Sequence, residues 1–331
     1  MLRPRLPVPA DVSESRPLVV CKFGGSSVGT PDRFRTLVDV VAAAAREARV
    51  FVIVSALSQV TRQLSGALEA FTTHSTNHDV MVNDLVTTLR TRHREHAFAV
   101  LSREAQQAYA ERLDDRLDHV RAVFERVDRD GFSPAARDAL LATGEQLSVP
   151  IARWALSDAG LNAVRLDATQ LVVTDDTFGE ANVLHNATRD RLRQQYADTD
   201  APTVPVMAGF IGTTQDGRTT TLGFEGSDYS AALVAQILNA QCLTRFTDVD
   251  GLYSDDPSTH ADAERLSMLS METAYAMTES GRLGMHPKTL RPLAEAGIPM
   301  QVRSIRDPEA PGTHILPEGV ATDVLIPPVG A

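Results

Sequence analysis

A short apolar segment that ends in a lysine and two glycines constrains this sequence more than any other feature. Residues 18–21 carry no polar side chain, which predicts a strand buried on both faces. Lys22 follows this segment, and Gly24 and Gly25 allow backbone N–H groups to turn toward a ligand. A fixed ammonium beside backbone amides and a helix N-terminus favours phosphate. The segment therefore predicts a phosphate site at the end of a buried strand.

The order of these residues differs from that of a P-loop. A P-loop requires Gly-x-x-x-x-Gly-Lys-Ser/Thr. Here Thr30 follows the spaced glycines Gly24 and Gly29, and the lysine precedes them. Thr30 is a suitable N-cap and Pro31 a suitable first helical residue, so a helix is predicted from Pro31 onward. The sequence indicates phosphate handling by an architecture other than that of P-loop proteins.

The alternation of strands and helices along the chain predicts the fold class. Residues 50–54 form a second buried strand after the predicted helix, and such a βαβ unit has parallel strands. The last third of the chain repeats the alternation, and residues 67–142 are mostly helical, with one helix capped by Ser133-Pro134. The predicted strands include residues 18–23, 171–173, 242–247 and 298–302. We therefore predict an α/β protein, a three-layer α/β/α sandwich with a mainly parallel central sheet and a helical insertion.

Domain organisation follows from the same pass along the chain. The proline-rich residues 1–16 are predicted to be a flexible lead-in, residues 17–316 one domain with its insertion at 67–142, and residues 317–331 a short tail. The insertion contains five histidines without the carboxylate pattern of a metal site. They are predicted to be solvated surface residues: His74, His78, His93, His96 and His119.

Composition excludes several classes of function. The sequence contains 32 basic and 43 acidic residues, which gives a net charge of −11. It shows no basic stripe, and both features argue against nucleic-acid binding. No apolar stretch is long enough to span a membrane and no signal peptide is visible, so no membrane association and a cytoplasmic location are expected. Cys21 and Cys242 lie in apolar runs and are predicted to be small buried hydrophobic residues.

Three other segments place polar residues where predicted elements begin or end. Residues 221–232 bring glycines and Asp228 to a helix start, which fits either a ligand site or an ordinary capped helix. Residues 247–257 contain four aspartates but lack the spacing and the terminal glutamate of a calcium-binding EF-hand. A turn that holds a nucleotide fits them better. Glu145, within Thr143-Gly144-Glu145, has by itself the character of a solvated helix residue.

Taken together, these segments resemble the amino-acid kinase family, and within it the aspartate kinases. The resemblance extends over residues 18–315, and its motifs occur in the family's order. Each motif alone is modest, but the ordered set is specific. The motifs are Lys22-Phe23-Gly24-Gly25-Ser26-Ser27-Val28, Val54-Ser55-Ala56 followed by Thr61, Gly144-Glu145-Gln146-Leu147-Ser148, Leu222 to Asp228, Thr247 to Pro257, and His286-Pro287-Lys288-Thr289.

The resemblance implies a catalytic domain that phosphorylates the side-chain carboxylate of L-aspartate with ATP and Mg²⁺, the first step toward lysine, threonine and methionine. Lys22 and Asp228 would be catalytic. A homodimer without nucleic-acid or membrane partners is implied, and no metal-ligating residue is assigned. The nucleotide would be bound by Lys22, Gly24, Gly25, Ser26, Thr247, Asp248, Tyr253, Asp256 and Lys288. The amino acid would be bound by Ser55, Thr61, Glu145, Phe224 and Ser227, with Glu145 taking its ammonium.

The sequence departs from the family pattern at three positions. Phe224 stands where the family has an arginine that would grip the substrate α-carboxylate, and a phenyl ring cannot form that bidentate contact. Leu283 stands in place of a second lysine, for which Lys288 could substitute, and Ser258 in place of an arginine. Acceptor recognition is therefore expected to differ from that of the family.

Three interpretations follow from the change at Phe224. The protein could be an aspartate kinase that uses another cation, such as Arg218 or Arg303. It could be a kinase of a related carboxylate, or a nucleotide-binding protein that has lost turnover and acts as a regulatory or assembly partner. Aspartate kinases also commonly continue into ligand-sensing ACT domains, whereas little sequence follows Ile315 here. Insensitivity to lysine and threonine is therefore expected.

Overall fold

The computed structural model describes residues 16–73, 77–199, 202–255, 259–260, 262–281, 283 and 285–319. Residues 1–15 of the predicted lead-in and 320–331 of the predicted tail lie outside the described residues. So do His74, Asp256 and Ser258, on which predictions were made.

The strands confirm the main features of the predicted pattern. The first strand and the strand that begins at Cys242 have the predicted bounds. The strand predicted at residues 298–302 begins two residues later, and Leu171 lies in a short helix instead of a strand. In chain order the strands are β1 (Leu18–Phe23), β2 (Arg49–Val54), β3 (Asn162–Leu166), β4 (Val173–Thr174), β5 (Thr203–Ala208), β6 (Ile211–Thr214), β7 (Thr219–Thr221), β8 (Cys242–Thr247), β9 (Leu252–Tyr253), β10 (Arg265–Leu266), β11 (Met268–Ser270), β12 (Met300–Ser304) and β13 (Thr313–Leu316).

The helices begin where local capping chemistry starts them. The side chain of Thr30 accepts from the N–H of Arg33 ahead of the first helix, and Ser133 accepts from the N–H of Ala136 ahead of the fifth. A proline occupies the first turn in both cases. The helices are α1 (Pro31–Ala44), α2 (Val60–Thr73), α3 (His78–Val100), α4 (Arg103–Asp130), α5 (Pro134–Leu141), α6 (Thr143–Asp158), α7 (Ala168–Leu171), α8 (His185–Ala197), α9 (Gly226–Ile237), α10 (Met271–Glu279) and α11 (Pro287–Ala296).

The central sheet of the described chain has eight strands in the order β11-β13-β12-β8-β1-β2-β5-β3. Every neighbouring pair is parallel except β12 with β13. Helix α6 packs against β2, β3 and β5 and contacts α1, whereas α9 packs against β1 and β8 and contacts α8 and α11. Helices cover both faces, so the predicted sandwich with a mainly parallel sheet is confirmed.

Helices α2 to α5 form the predicted helical region between β2 and β3, and here one prediction was wrong. His93 and His96 on α3 are buried, with exposed fractions of 0% and 5%. Nδ1 of His93 lies 2.7 Å from the carbonyl oxygen of Leu89, and the His96 ring packs edge-on against Phe34. Burial lowers the pKa of both imidazoles to about 4. These two histidines are core residues because α3 packs against α1, α2 and α4.

Two further expectations concern cysteines and membranes. Cys21 and Cys242 are thiols with no exposed surface, as predicted, and burial raises the pKa of Cys21. None of the helices in the described chain combines the length and apolar character needed to cross a lipid bilayer.

Candidate active site

A cavity of about 790 Å³ opens at the ends of β1, β2 and β8, against the first turns of α6 and α9. Parallel strands place their carboxyl ends at one edge of the sheet, so residues far apart in sequence meet there. The structure brings eight of the predicted site residues to the wall of this cavity. They are Lys22, Gly25, Ser55, Thr61, Glu145, Phe224, Ser227 and Asp228.

The floor of the cavity is a buried ion pair between Lys22 and Asp228. Nζ of Lys22 lies 2.8 Å from Oδ1 of Asp228, and both side chains are less than a tenth exposed. Burial lowers the pKa of Lys22 against the pull of Asp228. Burial also raises the pKa of Asp228, but the charges of Arg245 and Lys22 outweigh it and hold that pKa below its usual value. The carboxylate therefore remains ionised and holds the ammonium in place.

Arg245 is a functional candidate that sequence reasoning missed. Its Nε lies 3.2 Å from Oδ1 of Asp228, and its NH2 group lies 3.8 Å from Oε1 of Glu225. The side chain is 15% exposed and lines the cavity. The signal in the sequence was an arginine inside the largely apolar strand β8, the same kind of signal that identified Lys22 in β1.

Glu145 lies on the β2 side of the cavity, where its carboxyl group has, within the described chain, no ion-pair partner like that of Asp228. It lies in the first turn of α6 and is 3% exposed, and its Oε2 has no hydrogen-bond partner among the described residues. Burial raises its pKa to about 8. A Cβ at Gly144 would come within 2.9 Å of Cβ of Ala56, so only glycine lets this helix start approach the strand end. The solvated character expected of Glu145 by itself is therefore wrong.

The glycine turn after β1 retains free backbone donors. The N–H of Gly24 donates to the carbonyl of Phe246 at 3.4 Å, and the hydroxyl of Ser27 donates to the same oxygen at 2.8 Å. For the N–H groups of Gly25 and Ser26 the described structure contains no acceptor. These two amides remain available to a ligand, although Gly24 and Ser26 do not line the cavity.

The helix N-terminus that carries Asp228 to the cavity is that of α9. The first turn of α1, which was expected to complete the phosphate site, does not line the cavity. Gly226, Ser227 and Asp228 of α9 do, and the cap residue Glu225 adopts a left-handed conformation with φ 55°. The carboxylate of Glu225 accepts the N–H of His286, which fixes this turn against the start of α11.

The predicted nucleotide residues after β8 that the structure describes do not line the cavity. The carboxylate of Asp248 lies 4.0 Å from Arg33 and 3.6 Å from Arg306, and the hydroxyl of Tyr253 donates to Asp250. Thr247 ends β8 and is half-buried. Asp256 falls outside the described residues.

Lys288 lines a neighbouring cavity of about 590 Å³, together with Phe224. Its Nζ donates to the carbonyl of Leu222 and lies 5.8 Å from the centre of the Tyr229 ring. Only two of the 32 basic residues of this chain are lysines, Lys22 and Lys288. Both stand in this region of the molecule.

Phe224 is 73% exposed and lies at the mouth that the two cavities share. The cations proposed as substitutes for an arginine here are not at the site. Arg218 pairs with Asp216 at 2.8 Å, Arg303 donates to the carbonyl of Pro308, and neither lines the cavity. Arg62 and Arg137 do line it.

These features agree with what comparison with known proteins shows. The sequence model of the Amino acid kinase family matches residues 17–304, and the chain belongs to this family. Within it, the chain is similar to aspartokinases. It is 31% identical over 299 residues to lysine-sensitive aspartokinase 3 of Escherichia coli strain K12, covering 90% of this chain and 64% of that protein.

Other relatives extend the similarity to longer proteins. The chain is 28% identical to a chloroplastic bifunctional aspartokinase/homoserine dehydrogenase of Zea mays, covering 92% of this chain and 33% of that protein. The structure of E. coli aspartokinase III in complex with aspartate and ADP superposes with a TM-score of 0.83 at 29% identity, covering 92% of this chain and 65% of that one. The chain therefore spans between one third and two thirds of these relatives.

Proposed function

We propose that this protein is an aspartate kinase, which transfers the γ-phosphoryl group of ATP to the side-chain carboxylate of L-aspartate and forms 4-phospho-L-aspartate. The observation that carries the proposal is the buried Lys22–Asp228 pair on the floor of a cavity whose wall also holds Glu145, a buried carboxyl with one oxygen that has no hydrogen-bond partner among the described residues. The similarity to an aspartokinase solved with aspartate and ADP supports it. By the same analogy we propose a cytoplasmic homodimer in aspartate-derived amino-acid biosynthesis.

The reaction asks the protein mainly to position two anions and to neutralise charge. A carboxylate is already a nucleophile, so no general base or covalent enzyme intermediate is needed. The ammonium of Lys22 would contact the transferring phosphoryl group and stabilise the negative charge that develops on it. Asp228 would hold that ammonium in position. The fixed pair does this without reorganisation during the reaction.

The acceptor would lie on the side of Glu145. An ammonium beside Oε2 would take the place of the missing hydrogen-bond partner and favour the ionised carboxylate. Because the pKa of Glu145 is about 8 when the cavity is empty, binding of the amino acid near neutral pH would release a proton. The hydroxyl groups of Ser55, Thr61 and Ser227 would contact the carboxylates.

The nucleotide phosphates would lie on the side of the glycine turn. The free N–H groups of Gly25 and Ser26 and the ammonium of Lys22 are suited to phosphate oxygens. We propose that Thr247, Asp248 and Tyr253 hold the nucleoside, as does the undescribed Asp256. A Mg²⁺ ion, usually bound through phosphates and one or two carboxylates, would offset the charge of the phosphate chain.

A second candidate function is favoured by Phe224, whose exposed ring offers no contact to an α-carboxylate. In this alternative the acceptor is a related carboxylate that lacks that group. Arg62 and Arg137 are the cations through which the cavity could still hold an α-carboxylate, and both belong to its wall.

An ADP-release assay with three acceptors separates these functions. Turnover with L-aspartate and none with β-alanine, its α-decarboxylated analogue, supports the first. Turnover with β-alanine but not aspartate supports the second. N-acetyl-L-aspartate has no ammonium, so its turnover at the rate of aspartate would contradict the role given to Glu145. ATP binding without turnover on any acceptor would overturn both functions.

A further inference from the structure

Arg245 is a charged residue of the site for which the proposed reaction has so far no use. Strand β8 pairs with β1 in parallel, and Arg245 lies opposite Lys22 in the ladder. Residues opposite each other in a parallel pair project to the same face of the sheet. The guanidinium therefore enters the same cavity as the ammonium of Lys22.

The guanidinium belongs to a group of four charges at the cavity floor. Arg245 and Lys22 approach the same oxygen of Asp228, at 3.2 and 2.8 Å. One cation suffices to neutralise this carboxylate, and a second one costs hydration and repels the first. Glu225 lies farther away, 3.8 Å from the guanidinium, and Nε of Arg245 has no hydrogen-bond partner among the described residues. The positively charged groups at the cavity floor can therefore bind a further anion.

The order of the strands indicates which anion this is. In the sheet, β1 lies between β8 and β2. The residues proposed to bind the acceptor, Ser55 and the adjacent Glu145, lie at the end of β2. Strand β8 instead continues into the turn at Thr247 and Asp248, which are proposed to bind the nucleoside. Arg245 thus lies on the nucleotide side of Lys22. With the nucleotide on the β8 side, as proposed above, an anion between Arg245 and the glycine turn would be one of its phosphates.

We propose that Arg245 is a second phosphate-binding residue, which contacts the terminal phosphates of the nucleotide together with Lys22. This proposal rests on the proposed function. In the transfer, the bond between the γ-phosphorus and the β–γ bridging oxygen breaks, and a bond from the carboxylate oxygen to that phosphorus forms. The bridging oxygen keeps the electron pair and leaves on ADP, with no proton transferred. Arg245 stabilises the charge that accumulates on the phosphates at this step.

Arg245 could instead only position Asp228, and nucleotide binding distinguishes the two roles. The Arg245→Met variant is titrated with ATP, ADP and adenosine in the absence of any acceptor. If Arg245 contacts phosphate, the variant loses affinity for ATP by roughly 10- to 100-fold, the scale of a lost charge-assisted hydrogen bond, and keeps its affinity for adenosine. Arg218→Met, a surface arginine paired with Asp216 outside the cavity, is the matched control.

Each outcome of this titration decides one question. Loss for ATP with adenosine binding retained supports the proposal. Wild-type affinity for ATP, or equal losses for ATP and adenosine, overturns it and leaves the proposed function intact. Failure of the wild-type protein to bind ATP overturns the proposed function and this proposal with it. If the protein binds ATP in this titration but shows no turnover on aspartate in the separate ADP-release assay, only the proposed reaction is contradicted, because the titration contains no acceptor.

A second variant keeps the proposal testable if Arg245→Met does not fold. Arg245→Lys retains the charge next to Asp228, so a merely positioning role predicts nearly normal turnover. A guanidinium that contacts two phosphate oxygens cannot be replaced by a point charge, and kcat is then expected to fall about tenfold or more with the KM for the acceptor unchanged. A wild-type kcat in this variant would overturn the proposal.

Discussion

The two sides of the cavity use charge in opposite ways. On the side of β8, Asp228 pairs with both Lys22 and Arg245, and Arg245 also lies within ion-pair distance of Glu225. On the side of β2, Glu145 is buried with an oxygen that has no partner, and its pKa is about 8. One side is organised before any ligand arrives. The other carries a carboxyl group with an oxygen that gains a partner only when a cation binds beside it.

This difference teaches which step each side serves. Preorganised charge stabilises a transition state because nothing has to move when charge develops. A buried acid that ionises on binding serves recognition, since its electrostatic gain depends on the ligand's ammonium. Substitutions on the β8 side should therefore change kcat most, and substitutions on the β2 side should change KM.

The largest effect is expected for Lys22→Met. Removing the ammonium leaves the transferring phosphoryl group without its principal cation, and kcat should fall about 10³-fold. Arg245 still accompanies Asp228 in this variant, so the fold should persist. ADP release measures the rate, and the thermal unfolding midpoint is the control. A loss of less than tenfold would contradict the catalytic role of Lys22.

Glu145→Gln should raise the KM for aspartate about 10²-fold with a smaller change in kcat, because the ammonium loses its charged partner. The same variant should be more stable than the wild type above neutral pH. The raised pKa of Glu145 means that its native form opposes ionisation, so stability is lost as the pH rises from the unfolded value near 4.5 through about 8. Glu104→Gln, an exposed first-turn glutamate of α4, is the matched control.

The pH dependence of aspartate binding tests the same side of the cavity in the wild-type protein. Below a pKa of about 8 the ammonium must displace a proton from Glu145, so the KM should fall by up to about tenfold per pH unit as the pH rises toward 8. The Glu145→Gln variant should show no such slope. A KM that is flat in the wild type would contradict the assignment of the ammonium to Glu145.

Phe224→Arg should lower the KM for aspartate, by about tenfold, if a guanidinium at the mouth reaches the α-carboxylate. Phe98→Arg is the matched control, since Phe98 is equally exposed, at 75% against 73%, and lies on helix α3 outside the cavity. An unchanged KM in both variants would show that position 224 does not face the acceptor.

The smallest effect is expected in the helical region. Because burial lowers the pKa of His96 to about 4, stability present above pH 6.5 is lost as the pH falls toward 4. His96→Leu removes this dependence and a polar atom without a partner, Nε2. The unfolding midpoint should then decline by a few degrees less between pH 7 and pH 4.5 than in the wild type. Activity should not change.

What the sequence could predict was decided by how local each signal is. The caps at Thr30 and Ser133 and the bounds of β1 follow from adjacent residues, and they were predicted correctly. The site role of Arg245 depends on the pairing of β8 with β1, which joins residues far apart in the chain. The burial of His93 and His96 likewise depends on how α3 packs. Glu145 was assigned to the site because of the resemblance to known motifs, whereas its neighbours in the sequence indicated a solvated residue.

The scarcity of lysine has a practical consequence. An acylating reagent such as acetic anhydride modifies neutral amines, and a lowered pKa increases the neutral fraction of Lys22 and of Lys288 at a given pH. With two lysine side chains in the sequence, a tryptic mass spectrum can follow each one separately. Phosphate over Lys22 should slow its labelling, so that site occupancy can be measured without any turnover.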